Sequence, residues 1–310
     1  MDGLIERTER CGTPIVVGLD PAFEMIPEGL RAECHEAHGF TLRAAAEMFK
    51  AYSLRVIDGV CDLVPAVKPQ IAMFEQLGPE GIWAYAETAI YAAEKGLFVI
   101  GDVKRGDIAS TAAAYAAHLA GVRIESREYE TWAEDAITLN PYMGGDSVEP
   151  FLAACGAHDK DVFILVKTSN PGSADIQDQT LAGSGLRVYE HVADLVSAWG
   201  AGLIGSRGYS RVGAVVGATF ADLGAALRKR MPHTFFLVPG YGAQGASGKD
   251  LRGFFDADGG GAVVNSSRGI IAAWKKDAKF GEGNVGDAAR EAVQRMRFDL
   301  ETALGGRRPT

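Results

Sequence analysis

Short apolar runs rich in β-branched residues recur along the chain, and longer stretches with a helical spacing of apolar residues separate them. Each run is apolar at nearly every position, a pattern typical of strands that are covered on both faces in a parallel sheet. We therefore predict eight strands, at residues 15–20, 63–69, 97–104, 136–141, 162–168, 212–219, 235–242 and 261–268.

The segments between these runs predict helices. Residues 80–96 place apolar side chains at helical spacing, with Gly96 where that helix would end, and residues 287–304 would form the last outer helix. Eight strands alternating with helices over 310 residues predict an α/β protein of the (β/α)8 TIM-barrel class. A doubly wound open sheet is the alternative, but no G-x-G-x-x-G motif follows the first strand to favour it.

The composition is that of an ordinary globular protein, with 47% hydrophobic and 23% charged residues. No linker or low-complexity block interrupts the chain, so we expect residues 1–310 to form a single barrel domain with a short frayed C-terminal tail at about 305–310. No secretory signal and no run of eighteen apolar residues is evident. We therefore expect a cytoplasmic protein that does not bind a membrane.

The net charge of −9 argues against a nucleic-acid partner, because binding to phosphate backbones requires a basic face. A local basic pocket for one small anion is compatible with this charge. The four cysteines, Cys11, Cys34, Cys61 and Cys155, lie far apart and lack C-x-x-C spacing. This spacing favours reduced, partly buried thiols over a disulfide framework or a zinc site.

Charged side chains stand at the C-terminal ends of the first three predicted strands, where the chemistry of a barrel gathers. Asp20 ends the first strand, Lys68 the second, and Asp102 and Lys104 the third, and Asp107 follows in the next loop. Because Asp102 and Lys104 are two residues apart on a strand, their side chains point to the same face. The pattern predicts acids and bases around one pocket.

These residues also have interpretations that involve no chemistry. The D-V-K-R-G-D run can be an exposed strand end with a solvated ion pair, in which Asp107 caps the helix that starts near Ile108. Lys68 can extend its ammonium to the barrel rim. However, Lys68 interrupts the apolar stretch VPAVKPQIAMF, where an unpaired ammonium would carry a large desolvation cost.

A second group of candidate residues follows the seventh and eighth strands. PGYGAQG at 239–245 supplies glycines for close approach of the backbone, and SSRG at 266–269 supplies Arg268. The loops after these two strands commonly bind phosphate in barrels, and an arginine suits bidentate contact. A pair of glycine-rich turns with a surface arginine is the alternative. Together, the two loops favour a phosphorylated ligand.

These motifs resemble the orotidine 5′-phosphate decarboxylase family, in the version typical of its longer bacterial members. The resemblance covers nearly the whole chain, and six motifs in order at six strand ends are far more specific than any one of them. They are GLDP at 18–21, VKPQIAMFE at 67–75, DVKRGDIAST at 102–111, KTSNPGS at 167–173, PGYGAQG at 239–245 and NSSRGI at 265–270. The resemblance implies a cofactor-free carboxy-lyase that converts orotidine 5′-phosphate to uridine 5′-phosphate in de novo pyrimidine biosynthesis.

The resemblance also implies a role for each matching residue. The family's charged tetrad is matched by Lys68, Asp102, Lys104 and Asp107, and Lys104 matches the proton donor to the carbon that loses CO₂. The implied substrate contacts are Asp20 to the ribose, Ser169 to the pyrimidine ring, and Gln244 and Arg268 to the phosphate. A homodimer is implied as well, in which Asp107 and Thr111 act across the interface. No metal ligand and no cofactor is implied.

One departure from the family pattern is Ala246, where many members have a second glycine. An alanine there would be mildly unfavourable if the position needs positive φ or close approach of the phosphate. The sequence also leaves the role of residues 174–185 open, since they can form a lid or a plain surface excursion.

Two other functions are alternatives to the decarboxylase. Metal-dependent phosphosugar barrels, such as 3-keto-gulonate 6-phosphate decarboxylase and hexulose-phosphate synthase, share the D-x-K-x-x-D strand but need carboxylates for Mg²⁺. They lack the lysine of the K-P-Q motif, so Lys68 argues against them. A catalytically silent nucleotide-binding barrel is the second rival. The presence of the complete tetrad argues against it.

Overall fold

The computed structural model describes residues 1–219, 221–242, 245–277 and 279–305. Its strands are β1 (Ile15–Leu19), β2 (Ala66–Pro69), β3 (Phe98–Arg105), β4 (Val122–Ile124), β5 (Arg127–Tyr129), β6 (Ala136–Leu139), β7 (Asp161–Lys167), β8 (Val212–Val216), β9 (Phe236–Pro239) and β10 (Ala262–Ser266). All except β4 and β5 are parallel and close a barrel in the order β1-β10-β9-β8-β7-β6-β3-β2. The predicted (β/α)8 barrel is confirmed, and each predicted strand overlaps one barrel strand, although several predicted ranges extend beyond the strand ends.

Helices connect the strands and cover the outside of the barrel. They are α1 (Asp2–Cys11), α2 (Glu28–His38), α3 (Leu42–Val60), α4 (Ile71–Glu75), α5 (Pro79–Glu94), α6 (Ala109–Tyr115), α7 (Ala117–Ala120), α8 (Gly145–His158), α9 (Val188–Gly200), α10 (Ala221–Arg230), α11 (Gly248–Leu251), α12 (Arg268–Ile271) and α13 (Val285–Ala303). Both helices predicted individually are present, as α5 and α13, and α13 packs against α3 in the outer ring. In the part of the chain that the structure describes, no helix combines the length and apolarity needed to cross a membrane.

Side chains alternate along each barrel strand between the interior and the outer helices. On β1, for example, Val17 and Leu19 pack in the outer core and Val16 packs inside the barrel. Near the N-terminal ends of the strands both faces are therefore apolar. This explains the near-continuous apolar runs of the sequence.

Two residues further along the strands, the positions that face the inside of the barrel are no longer apolar on every strand. On β1, β2, β3, β6 and β10 these positions are Gly18, Lys68, Asp102, Thr138 and Asn265. On β7, β8 and β9 they stay apolar, as Leu165, Val215 and Leu237. One half of this layer is thus polar and the other half apolar, and the layer forms the floor of the site described below.

Helix α1 closes the N-terminal end of the barrel. Its residues Leu4 and Ile5, together with Met1, pack inside the barrel with Phe98. The α-amino group of Met1 donates a hydrogen bond to the carboxylate of Asp161 at the start of β7. Since this end is filled by side chains, the opening of the barrel lies at the C-terminal ends of the strands.

The antiparallel hairpin β4–β5 is not anticipated by the apolar pattern. It pairs Val122 with Tyr129 and Ile124 with Arg127, and all of its residues are exposed. Each strand has three residues and includes charged side chains, so no apolar run marks it. Strands this short carry too little periodicity to be recognised in a sequence.

Candidate active site

A cavity of about 1070 Å³ opens at the C-terminal ends of the barrel strands. Most of the residues predicted for the site line it, namely Asp20, Lys68, Asp102, Lys104, Ser169 and Arg268. Asp107 and Thr111 are not among the described residues that line it. Gln244, predicted to contact a phosphate, lies outside the described residues.

Asp102 lies between two lysines on the cavity floor. Its Oδ2 accepts a hydrogen bond from Lys68 Nζ at 2.5 Å, and its Oδ1 accepts one from Lys104 Nζ at 2.5 Å. Lys68 is 4% exposed and Asp102 7%, whereas about half of the Lys104 side chain is exposed in the cavity. Lys68 therefore does not extend its ammonium to the rim, and one carboxylate is shared by a buried and an accessible ammonium.

Lys68 and Asp102 each stabilise the charged form of the other. Burial alone would lower the pKa of Lys68, but the carboxylates of Asp102 and Asp20 outweigh it and raise this pKa above its usual value. Burial would likewise raise the pKa of Asp102, but the ammonium groups of Lys68 and Lys104 hold it well below its usual value. Asp102 and Lys68 are both charged at neutral pH. Acid and base alternate in the sequence because each charge would be costly in this site without the other.

The backbone of Lys104 is left-handed, with φ of 44°. The pairing of β3 with β6 shifts register between Gly101 and Arg105, so Lys104 lies in an irregular part of the strand. Its amide donates to Thr138 Oγ1 at 2.9 Å. A non-glycine residue in this conformation costs about 1–3 kcal/mol, and such bulges often redirect side chains beside active sites. Here, the bulge lies where the Lys104 side chain turns back so that its ammonium contacts Asp102.

Two neutral side chains complete the surroundings of Asp102. Gln70 Nε2 donates to its Oδ2 at 2.8 Å, and Thr138 Oγ1 donates to its Oδ1 at 3.0 Å. Sequence reasoning did not assign a role to either residue. Gln70 follows Lys68 by two positions and therefore points to the same side, so strand alternation was the signal that could have found it.

Asp107 and Thr111 lie on the loop after β3 and in the first turn of α6. Asp107 Oδ1 accepts a hydrogen bond from the adjacent amide of Ile108 at 2.8 Å, and no side chain caps α6. Both predicted residues are half-buried, and Ile108 between them is exposed. The structure therefore does not bring them to the Lys68–Asp102–Lys104 group of their own chain.

The loop after β9 is built on glycines with positive φ. Gly240, Gly242 and Gly245 have φ of 110°, 72° and 90°, respectively. Ala246 is not among the described non-glycine residues with positive φ, and its carbonyl accepts from the amide of Gly242 at 2.9 Å. The alanine at this family position is therefore compatible with the loop.

Arg268 begins α12 at the mouth of the cavity. Its side chain is exposed, and no hydrogen bond or ion pair within the described ranges engages its guanidinium. A guanidinium in this state is available for bidentate contact with an anion. The geometry therefore fits an anion that approaches from the loops after β9 and β10.

The loop after β7 carries Ser169 and continues into one wall of the cavity. Gln177 Oε1 accepts from the amide of Thr168 at 2.9 Å, and Lys167 Nζ donates to Asp178 Oδ1 at 2.8 Å. Ile176 and Gln177 both line the cavity. Residues 174–185, whose role the sequence leaves open, are therefore tied to the end of β7 beside Ser169.

Within the described residues, no group of three or more His, Cys, Asp or Glu side chains could hold a metal ion. The four cysteines are free, and Cys34 and Cys155 are buried. Burial raises the pKa of the Cys155 thiol to about 12, so this thiol stays protonated in the folded protein. Cys11 and Cys61 are partly exposed.

Comparison with known proteins identifies the family. Residues 13–280 match the model of the Orotidine 5'-phosphate decarboxylase / HUMPS family. The orotidine 5′-phosphate decarboxylases of Rhodopirellula baltica and Petrotoga mobilis are 44% and 40% identical to this chain, over 94% and 98% of it and 95% and 99% of their own lengths. The structure of Leishmania donovani OMP decarboxylase, 33% identical, aligns over 98% of each chain with a TM-score of 0.73. The resemblance found in the sequence motifs is thus confirmed, and the chain belongs to the orotidine 5′-phosphate decarboxylase / HUMPS family.

Proposed function

We propose that this enzyme decarboxylates orotidine 5′-phosphate to uridine 5′-phosphate in de novo pyrimidine biosynthesis, without a cofactor. The observation that carries the proposal is the Lys68–Asp102–Lys104 group on the floor of a cavity whose mouth holds Arg268. Relatives that match nearly the whole chain carry the name of this activity, which supports the same conclusion.

The proposed reaction replaces a carboxylate on the pyrimidine ring with a proton. The carbon–carbon bond breaks, CO₂ leaves, and the electron pair remains on the ring carbon, which has no electron sink. Negative charge therefore develops only near the transition state, and a cation fixed in advance at that point lowers the barrier. The Lys104 ammonium supplies this charge and then donates its proton to the ring carbon.

Asp102 and Lys68 prepare Lys104 for this role. The carboxylate of Asp102 accepts a hydrogen bond from each ammonium, which holds Lys104 Nζ in place before the substrate arrives. Lys68 compensates the buried charge of Asp102, so the carboxylate remains ionised inside the barrel.

Substrate recognition is divided among the strand ends. Arg268 and Gln244 bind the phosphate, Ser169 contacts the pyrimidine ring, and Asp20 accepts a hydrogen bond from the ribose. Support for the last contact comes from Asp20 Oδ1, which is buried without a hydrogen-bond partner among the described residues. Because the phosphate is remote from the reacting carbon, its binding energy can be used to organise the site.

The active form in this proposal is a homodimer in which Asp107 and Thr111 complete the site of the partner. Supporting this, neither residue is among the described residues that line the cavity of its own chain. The exposed Ile108 between them gives the same loop an apolar contact surface. Asp107 would then be the fourth charge of the tetrad, supplied across the interface.

The test is a spectrophotometric assay of orotidine 5′-phosphate with purified protein in the presence of EDTA. Loss of the orotate absorbance, with uridine 5′-phosphate as the product, is the expected result. No turnover there, but CO₂ release from a phosphosugar once Mg²⁺ is added, would overturn the proposal in favour of a metal-dependent relative. Inactivity in both assays would leave a phosphate-binding barrel without this chemistry.

A further inference from the structure

The side chain of Asn265 is buried in the cavity floor with its acceptor unused. It is 5% exposed and lines the cavity from β10. Its Nδ2 donates to Ser267 Oγ at 3.3 Å, but its Oδ1 accepts no hydrogen bond from the described residues. A buried acceptor without a donor is unfavourable, so its retention calls for a donor that the described residues do not supply.

The space around Asn265 is made by a glycine on the neighbouring strand. An ideal Cβ on Gly18 would lie 3.1 Å from Asn265 Oδ1 and 1.9 Å from Ser267 Oγ. Because Gly18 has no side chain, the amide oxygen of Asn265 can lie against β1. Gly18 is paired in register with Lys68 on β2, so Asn265 is separated by one strand from the charged half of the floor.

A second unused acceptor follows directly after β1, the strand that carries Gly18. Asp20 Oδ1 is buried, lines the cavity and has no hydrogen-bond partner among the described residues. Asp20 and Gly18 are two residues apart, so both positions face the inside of the barrel. Asp20 Oδ1 and Asn265 Oδ1 are therefore two acceptors at the C-terminal ends of the adjacent strands β1 and β10, and both require donors from a ligand.

Only some groups of a nucleotide can donate hydrogen bonds to Asp20 Oδ1 and Asn265 Oδ1. A phosphate dianion has no hydrogen to donate, and the loop that carries Ser169, the proposed contact to the ring, follows β7, three strands from β10 in the barrel order. Ribose hydroxyls are donors, and they lie between the phosphate and the ring. Arg268 stands only three residues after Asn265, which places the phosphate-binding end on the same side of the cavity.

We propose that Asn265 is a further substrate-binding residue, whose Oδ1 accepts a hydrogen bond from a ribose hydroxyl of the nucleotide. It forms with Asp20 a pair of acceptors that distinguishes a ribonucleotide from a deoxyribonucleotide. This assignment rests on the proposed function, because it takes a uridine nucleotide as the ligand. It assigns specificity to a residue that takes no part in the proton transfer.

The experiment measures the dissociation constants of uridine 5′-phosphate and its 2′-deoxy and 3′-deoxy analogues by isothermal titration calorimetry. The proteins are the wild type, Asn265→Ala and Asn265→Leu. We expect the wild type to bind one deoxy analogue roughly 3- to 10-fold more weakly than uridine 5′-phosphate because of the lost Asn265 bond. Both variants should bind uridine 5′-phosphate and that deoxy analogue with similar affinity. Their affinity for uridine 5′-phosphate should be lower than that of the wild type by the same factor.

Asn140→Ala is the matched control. Asn140 also lines the cavity, but its Oδ1 already accepts from the amide of Tyr142 at 3.0 Å, so the variant should keep the wild-type preference. Equal weakening of all three nucleotides by Asn265→Ala would overturn the assignment and indicate a purely structural residue. A wild type that binds all three nucleotides equally would overturn it without any variant. A wild type that binds none of them would overturn the proposed function as well.

Discussion

The backbone amide of Lys104 donates a hydrogen bond to the hydroxyl of Thr138, at 2.9 Å. The same hydroxyl donates its own hydrogen to Asp102 Oδ1, at 3.0 Å. One neutral side chain on β6 therefore restrains both the left-handed backbone of Lys104 and the carboxylate that holds its ammonium. The position of Lys104 thus depends on a residue from a different strand.

Thr138→Val tests this restraint, because valine keeps the shape of threonine and removes both hydrogen bonds. We expect kcat for orotidine 5′-phosphate to fall roughly 10- to 100-fold, as expected when bonds of about 1.5–3 kcal/mol to a charged group are lost. The affinity for uridine 5′-phosphate should change little, since Thr138 is not a proposed ligand contact. Steady-state kinetics and calorimetric titration measure the two quantities.

Thr88→Val is the matched control for that substitution. Thr88 is equally buried, but its hydroxyl donates within α5 to the carbonyl of Ala84 at 2.7 Å, away from the site. This variant should turn over substrate at the wild-type rate. Wild-type kcat in Thr138→Val would show that Asp102 and the strand pairing alone position Lys104.

The sequence could predict the barrel and most of the charged group for one physical reason. Strand alternation is local, so the apolar runs and the spacing of Asp102 and Lys104 follow from the chain itself. The role of Thr138 could not be found in this way, because a threonine in a strand looks like any other β-branched residue. The left-handed backbone of Lys104 depends on register with β6, which is a non-local property. The proposed role of Asn265 could not be predicted from the sequence either, since only the fold shows that its side-chain oxygen has no hydrogen-bond donor among the described residues.

Mixed dimers test whether Asp107 acts on the partner's site. Lys104→Ala and Asp107→Ala should each be strongly impaired alone, because each removes one charge from every site. After mixing in equal amounts and re-equilibration, each heterodimer would contain one site with both substitutions and one site with neither. Random assortment should then restore about a quarter of the wild-type sites, measured as recovered kcat.

The control for the mixed dimers uses two residues of the same chain's site. Lys68→Ala mixed with Lys104→Ala should recover nothing, because each site of the heterodimer keeps one substituted lysine. If the Asp107→Ala mixture also recovers nothing, although heterodimers are detected by native mass spectrometry, Asp107 does not serve the partner's site.

Gly18→Ala tests how closely β1 and β10 approach at the cavity. The new Cβ would lie 1.9 Å from Ser267 Oγ and 2.8 Å from Ser267 Cβ, so Ser267, which precedes Arg268, must move. We expect the free energy of unfolding to fall by about 1–3 kcal/mol, as for an overpacked core, and the affinity for uridine 5′-phosphate to fall as well. Denaturant unfolding and calorimetric titration provide the two measurements.

Gly29→Ala is a suitable comparison for that overpacking. A Cβ on Gly29, in α2, would meet no heavy atom within 4 Å, so stability should stay the same or rise by about 0.5–1 kcal/mol. Unchanged affinity and stability in Gly18→Ala would mean that the loop after β10 adjusts freely. The proposed phosphate-binding role of Arg268 would then not depend on this contact.

The pH dependence of stability should identify Asp102 as a buried ionised group. Its pKa in the folded protein lies below the usual 3.8, so its stabilising contribution is present above that pH and is lost as the pH falls through and below it. The pKa of Lys68 is raised above 10.5, so its contribution is present below that pH and is lost as the pH rises beyond it. Between these limits both charges stabilise the fold.

Asp102→Asn removes the carboxylate and leaves Lys68 buried. We expect its free energy of unfolding at neutral pH to be about 3–5 kcal/mol lower than that of the wild type, the usual cost of breaking a buried ion pair. The difference should stay constant near neutrality and narrow as the pH falls below 3.8, because only the wild type then loses the contribution of Asp102. Guanidinium chloride unfolding over a pH series measures it, with the exposed Asp258→Asn expected to stay within about 0.5 kcal/mol of the wild type. A difference that persists undiminished in acid would show that the effect of Asp102→Asn comes from packing and not from its charge.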